Sequence, residues 1–118
     1  MVTSDEPAIS VAAALAARIR GLLADRDGIT ERKMFGCHCF MLDGNMLVCA
    51  MKAGELLVRV SPEAEAEALM QPGVATRLMG TREMTGFVGV SGPAIDEDAA
   101  IARWIAVAER HVRTLPPK

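Results

Sequence analysis

The sequence predicts an α+β domain of two layers, an antiparallel sheet carrying helices in the order α-β(3)-α-β(2)-α. Three observations carry that expectation. Apolar residues recur at helical spacing near both ends, glycine-bearing turns punctuate short β-branched runs in the middle, and no repeat or low-complexity tract divides the 118 residues. A chain of that length can bury one hydrophobic core without disulfide or metal staples, so residues 1–118 are read as a single domain with its core over about 9–115.

The first helix covers residues 9–24, where Ala12, Leu15, Ala16, Ile19, Leu22 and Leu23 form a stripe and Arg18, Arg20 and Asp25 fall outside it. Asp27-Gly28 ends it. Residues 29–42 contain Met34, Phe35 and Phe40 with no sustained helical period, and read as one extended strand bent at Gly36. Asp43-Gly44 is a hairpin signal, because both central positions of a type I′ turn need positive φ. A second strand follows over 45–51. After Ala53-Gly54, the Glu-Leu-Leu-Val-Arg-Val run of residues 55–60 supplies the third strand of an antiparallel meander.

Ser61-Pro62-Glu63 starts a helix: Ser accepts from free first-turn amides, Pro suits the first helical position, and Glu63 and Glu65 complement the positive dipole end. Gln71-Pro72-Gly73 stops it. Two strands are expected over 75–92, with Phe87, Val88 and Val90 as the clearer nucleus. The last helix begins at Asp96, Glu97 and Asp98 and ends at Arg110, His111 and Arg113. Ile101, Trp104, Ile105, Ala108 and Val112 make its apolar stripe.

A two-residue loop at Asp43-Gly44 or Gly44-Asn45 fixes the parity of facing residues. On that rule His38, Phe40 and Leu42 share a face with Leu47, Cys49, Met51, Leu56, Val58 and Val60. The second face carries Cys37, Cys39, Met41, Met46, Val48, Ala50, Leu57 and Arg59. Neither face is polar, so the sheet needs more cover than one layer of helices. A homodimer is the simplest cover.

The bulk numbers exclude several functions. Thirteen basic against 15 acidic residues leave a net charge of −2, so no general positive field exists to hold a phosphate backbone, and direct nucleic-acid binding is not expected. Three Phe, one Trp and no Tyr leave few stacking platforms. The apolar stretch 8–17 follows acidic Asp5 and Glu6, unlike a signal peptide, and nothing approaches the ~18 apolar residues of a membrane span. Three cysteines, an odd number, suit a reducing compartment, which makes a cytoplasmic location the expectation. No Gly-x-Ser-x-Gly, phosphate loop, His-Glu-x-x-His, dinucleotide fingerprint or Cys-x-x-Cys is present, so neither an enzyme nor a cofactor is expected.

Cys37-His38-Cys39 is the one segment that invites chemistry. Strand alternation points Cys37 and Cys39 away from His38, and zinc pairs usually stand two to four residues apart, so zinc is disfavoured. Cys37, Cys39, Met41 and Met46 project together, and thiolate with thioether selects Cu(I). Cys37 and Cys39 are therefore candidate reactive thiols for a soft-metal or redox sensor, although a buried apolar face explains the same residues. A strand-borne Cys49 and His38 pair is the remaining nucleophile arrangement, without a recognisable orienting acid. The Asp96 to Asp98 cluster is explained by a helix start.

The run Glu31-Arg32-Lys33-Met34-Phe35-Gly36, followed by Phe40-Met41-Leu42-Asp43-Gly44-Asn45-Met46 and Leu57-Val58-Arg59-Val60, resembles the N-terminal domain of the TfoX/Sxy family. The likeness extends through the Pro72-Gly73 break, Gly80, Met84-x-Gly86-Phe87 and Arg103-Trp104. It implies a two-layer fold like that of type III secretion chaperones, commonly dimeric, and a regulatory or adaptor module, with transcriptional regulation through protein contacts. Arg32, Lys33, Met34, Phe35, Gly36 and Arg59 form the candidate interaction segment, toward a second copy or a regulatory protein. The resemblance departs at Cys37 and Cys39, where the family often carries glycine. Competence regulators add a C-terminal helical domain, and the chain is expected to be a stand-alone N-terminal-type domain.

Overall fold

The computed structural model describes residues 10–34, 36–79 and 82–118. Three helices and six strands follow in chain order: α1 Val11–Leu22, β1 Ile29–Met34, β2 Cys37–Leu42, β3 Asn45–Ala50, β4 Leu56–Arg59, α2 Pro62–Leu69, β5 Val74–Met79, β6 Arg82–Val90 and α3 Asp98–Val112. A 3-10 segment, Gly92–Ile95, leads into α3. The strands form one antiparallel sheet in the order β1-β2-β3-β4-β6-β5. The α+β class and the antiparallel sheet are as the sequence predicts.

The strand count differs from expectation. Residues 29–42 are not one bent strand but the hairpin β1–β2, with Met34 paired to Cys37 and Gly36 between them at φ 79°. Positive φ is open to glycine at no steric cost, so the chain reverses there. That makes six strands where five were expected.

Local chemistry accounts for the helix starts. Ser10 and Ser61 both sit in extended backbone, and their hydroxyls accept from Ala13 N–H at 3.0 Å and Ala64 N–H at 3.1 Å. Pro62 occupies the first position of α2, with Glu63 and Glu65 in its first turn. At α3 the preceding Glu97 makes no side-chain cap. Instead Arg18 of α1 binds the approach to that helix, donating to Asp98 Oδ1 at 2.8 Å and to the carbonyls of Ile95 and Asp96 at 3.1 and 2.9 Å.

All three helices pack on one face of the sheet. The main core joins Leu15, Ala16, Ile19 and Leu23 of the first helical segment, Ala68 of α2, and Ile101, Trp104, Ile105, Ala108 and Val112 of α3 to Phe40, Leu42, Val48, Ala50, Leu56, Val58, Val88 and Val90 of the sheet. A second cluster, Cys39, Cys49 and Leu57 with Met34, Met41, Met46, Met51 and Phe87 against it, contains no helix residue.

The division of residues between these clusters corrects the parity expectation. Phe40 pairs with Val48 but Met41 pairs with Met46, so Leu47 is an extra residue at a β-bulge. Leu47 and Val48 are both buried on the helix side. One inserted residue reverses alternation beyond it, placing Val48 and Ala50 toward the helices and Cys49 and Met51 on the far face.

Candidate functional site

The far face is built from register rows. Arg32 of β1 pairs with Cys39 of β2, Cys39 with Cys49 of β3, Cys49 with Leu57 of β4, and Leu57 with Gly89 of β6. Residues in one row of a regular ladder share a face. Cys39, Cys49 and Leu57 are 4%, 1% and 4% exposed, although no helix among the described residues packs against them. Their cover is the half-buried group Met34, Met41, Met46, Met51 and Phe87. Long, unbranched methionine side chains conform to such a surface.

The sulfur chemistry is concentrated here. Cys49 Sγ donates to Met46 Sδ at 3.6 Å, and Cys39 lies beside Cys49 as its partner on the facing strand. Burial, then the Cys39 thiol, push the Cys49 thiol far up from its ordinary pKa. All three cysteines are thiols; Cys37 is half-buried, Cys39 and Cys49 are buried. Among the described residues no three His, Cys, Asp or Glu side chains gather as a metal-holding group, so a conventional zinc set is not assembled.

His38 lies on the other side of the sheet. Its Nδ1 stands 3.4 Å from Glu31 Oε2, while Arg20 grips both Glu31 oxygens at 2.9 and 2.6 Å. The Arg20 guanidinium, with a smaller contribution from His38, holds the Glu31 carboxyl below its ordinary value. Cys49 and His38 therefore do not form a nucleophile pair, because the bulge has turned Cys49 to the opposite face. Of the acidic cluster at the start of α3, Asp98 accepts from Arg18 through its carboxylate and Asp96 through its backbone carbonyl, in keeping with a structural helix approach.

The candidate interaction segment is split between faces. Exposed Arg32 and half-buried Met34 belong to the far face, where Arg59 also lies, its guanidinium carbon 5.5 Å from the Phe87 ring centroid. Exposed Lys33 pairs with His38 and points to the helix side. Gly36 is the hairpin glycine, and Phe35 lies outside the described residues. Sequence reasoning placed Cys37, Cys39, Met41 and Met46 on one face but missed that Cys49 joins them. The missing signal is the Leu47 bulge, which no turn residue marks.

A cavity of about 370 Å³ lies in the helix layer, between the start of α2 and the end of α3, bordered by Ser61, Glu63, Val107, Arg110 and His111. None of the candidate interaction residues or thiols lines it. The Ser61 hydroxyl there caps α2. No described helix is long and apolar enough to cross a membrane.

No curated protein and no solved structure matches the chain at a significant level. The family model described as TfoX N-terminal domain matches residues 21–112, which run from the end of α1 through α3 and include the whole sheet. The chain belongs to the TfoX N-terminal domain family.

Proposed function

We propose that this domain is a homodimeric regulatory adaptor, acting through protein contacts in transcriptional regulation in the cytoplasm, with its helix-free sheet face as the contact surface. Family membership supports a regulatory or adaptor module, and the family is not known as enzymatic. The observation that carries the reading is the one-sided placement of the helices. It leaves Met34, Met41, Met46, Met51 and Phe87 as the outer layer of the opposite face, with Arg32 and Arg59 beside them. Methionine-rich surfaces adapt to partners, and arginine is favoured at interfaces.

A second copy is the occupant that the dimensions favour. Six strands at about 4.8 Å spacing and about 20 Å length give a face of roughly 600 Å², so two such faces bury about 1,200 Å², the lower limit of specific interfaces. Edge pairing is the weaker route. Edge strand β1 exposes Thr30, Glu31, Arg32 and Lys33, and charged residues on an edge oppose strand addition.

Sedimentation equilibrium tests this directly. The native chain is expected to dimerise, and Met41→Glu, which puts a charge on the face, should weaken the dimer at least about tenfold, or 1.4 kcal/mol. A folded wild-type chain that stays monomeric at all concentrations, or a dimer indifferent to Met41→Glu, would overturn the proposal.

A further inference from the structure

The geometry points to a Cu(I) site formed by the sulfurs of Cys39, Cys49 and Met46, a ligand set that pairs strands β2 and β3 across the bulge. The assignment does not rest on the dimer. It rests on three facts. Cys39 and Cys49 are direct cross-strand partners, buried together in one cluster. Cys49 Sγ already stands 3.6 Å from Met46 Sδ. All three belong to the cluster from which helix residues are absent.

The spacing suits a soft ion. With a metal–sulfur length of about 2.3 Å, as in zinc thiolates, three sulfurs around a trigonal centre stand about 4 Å apart. The observed 3.6 Å separation needs only a small opening of the pair. Zinc would demand four nitrogen, oxygen or thiolate donors, and the described residues supply no group of three. Two thiolates with a thioether select Cu(I) instead.

Access and charge are also provided for. Cys39 and Cys49 are buried, but the ligand Met46 is half-buried beside them, so an ion can pass from its thioether to the thiols by ligand exchange. On binding, each thiol that coordinates loses its proton to solvent as its sulfur–copper bond forms, and copper stays in the Cu(I) state. The filled site carries one net negative charge. Arg32, in register with Cys39 on the neighbouring strand, supplies a compensating cation.

Anaerobic titration with Cu(I) buffered by bathocuproine disulfonate is the test. One Cu(I) per chain is expected, with a thiolate-to-copper ultraviolet band, three sulfurs in the X-ray absorption spectrum, and retention in preference to Zn²⁺. Cys39→Ala and Cys49→Ala should each abolish uptake while far-ultraviolet circular dichroism stays native. Met46→Leu keeps the apolar volume and should still weaken binding at least tenfold, which keeps the test decisive if a cysteine variant fails to fold. Cys37→Ser should leave uptake unchanged. Absence of uptake by the native chain, uptake that survives loss of Cys49 or depends on Cys37, or a preference for Zn²⁺ would overturn the assignment. Repeating the titration on Met41→Glu separates this outcome from that of the dimer, since Met41 is not a proposed ligand.

Discussion

Glu109 on α3 ties the end of the first helical segment to the last helix. Arg26 donates to both of its oxygens at 3.1 and 3.0 Å, and Arg113, one turn along the same helix, adds a bond of 2.9 Å. The Glu109 side chain is 12% exposed, so solvent screens the contact poorly. Arg26 chiefly, then Arg113, hold its carboxyl below the ordinary 4.5. A depressed carboxylate stabilises the fold above its unfolded pKa and loses that contribution as pH falls through the folded value. Glu109→Gln should therefore cost about 1–2 kcal/mol near neutral pH, by the worth of charged hydrogen bonds. The difference from wild type should shrink below pH 4.5, the ordinary value, as measured by urea unfolding across pH. Neither this pairing nor the Glu31 contacts of His38 was legible in the sequence, because Arg26 and Glu109 are 83 residues apart. Only packing brings them together.

At the scale of elements, the β2–β3 hairpin shows both what a sequence announces and what it conceals. Asp43 at φ 52° and Gly44 at φ 84° realise the turn that the Asp-Gly pair predicts. Two other chain segments, at residue 28 and at residues 116–118, converge on it. Asp43 N–H donates to the Gly28 carbonyl at 2.9 Å, Lys118 N–H donates to the Asp43 carbonyl at 2.8 Å, and buried Asn45 donates from Nδ2 to the Pro116 carbonyl at 2.9 Å. A Cβ at position 44 would lie 2.7 Å from the Lys118 carbonyl oxygen, so the C-terminal residues would have to move. Gly44→Val should cost about 1–2 kcal/mol from backbone strain together with this clash, read as a lower urea midpoint at unchanged slope. Residues 35–36 carry no such paired signal, so the sequence predicts one bent strand over 29–42 where the structure has the β1–β2 reversal. The Leu47 bulge is still less visible. Its cause is that Leu47 and Val48 both find room in the helix-side core, which depends on the partner strand and on the helices above.

At the scale of the molecule, one helix layer stabilises one sheet face, and α3 is its centre. Ile101 and Ile105 are fully buried, and Trp104 is 7% exposed. Ile105→Ala should cost about 2–5 kcal/mol through lost burial and the cavity left behind. Denaturant unfolding followed by the fluorescence of Trp104, the sole tryptophan, measures it. That stripe, the Ser61 cap and the α+β order were readable because helical period, capping and turn chemistry act within a few residues. The sequence by itself determined the class, the helices, the Asp43-Gly44 turn and the family pattern. Tertiary structure alone decided which side of the sheet Cys49 occupies and therefore which sulfurs meet. Facing is a two-way choice that one extra residue reverses, and the position of that residue is settled by packing across strands rather than along the chain.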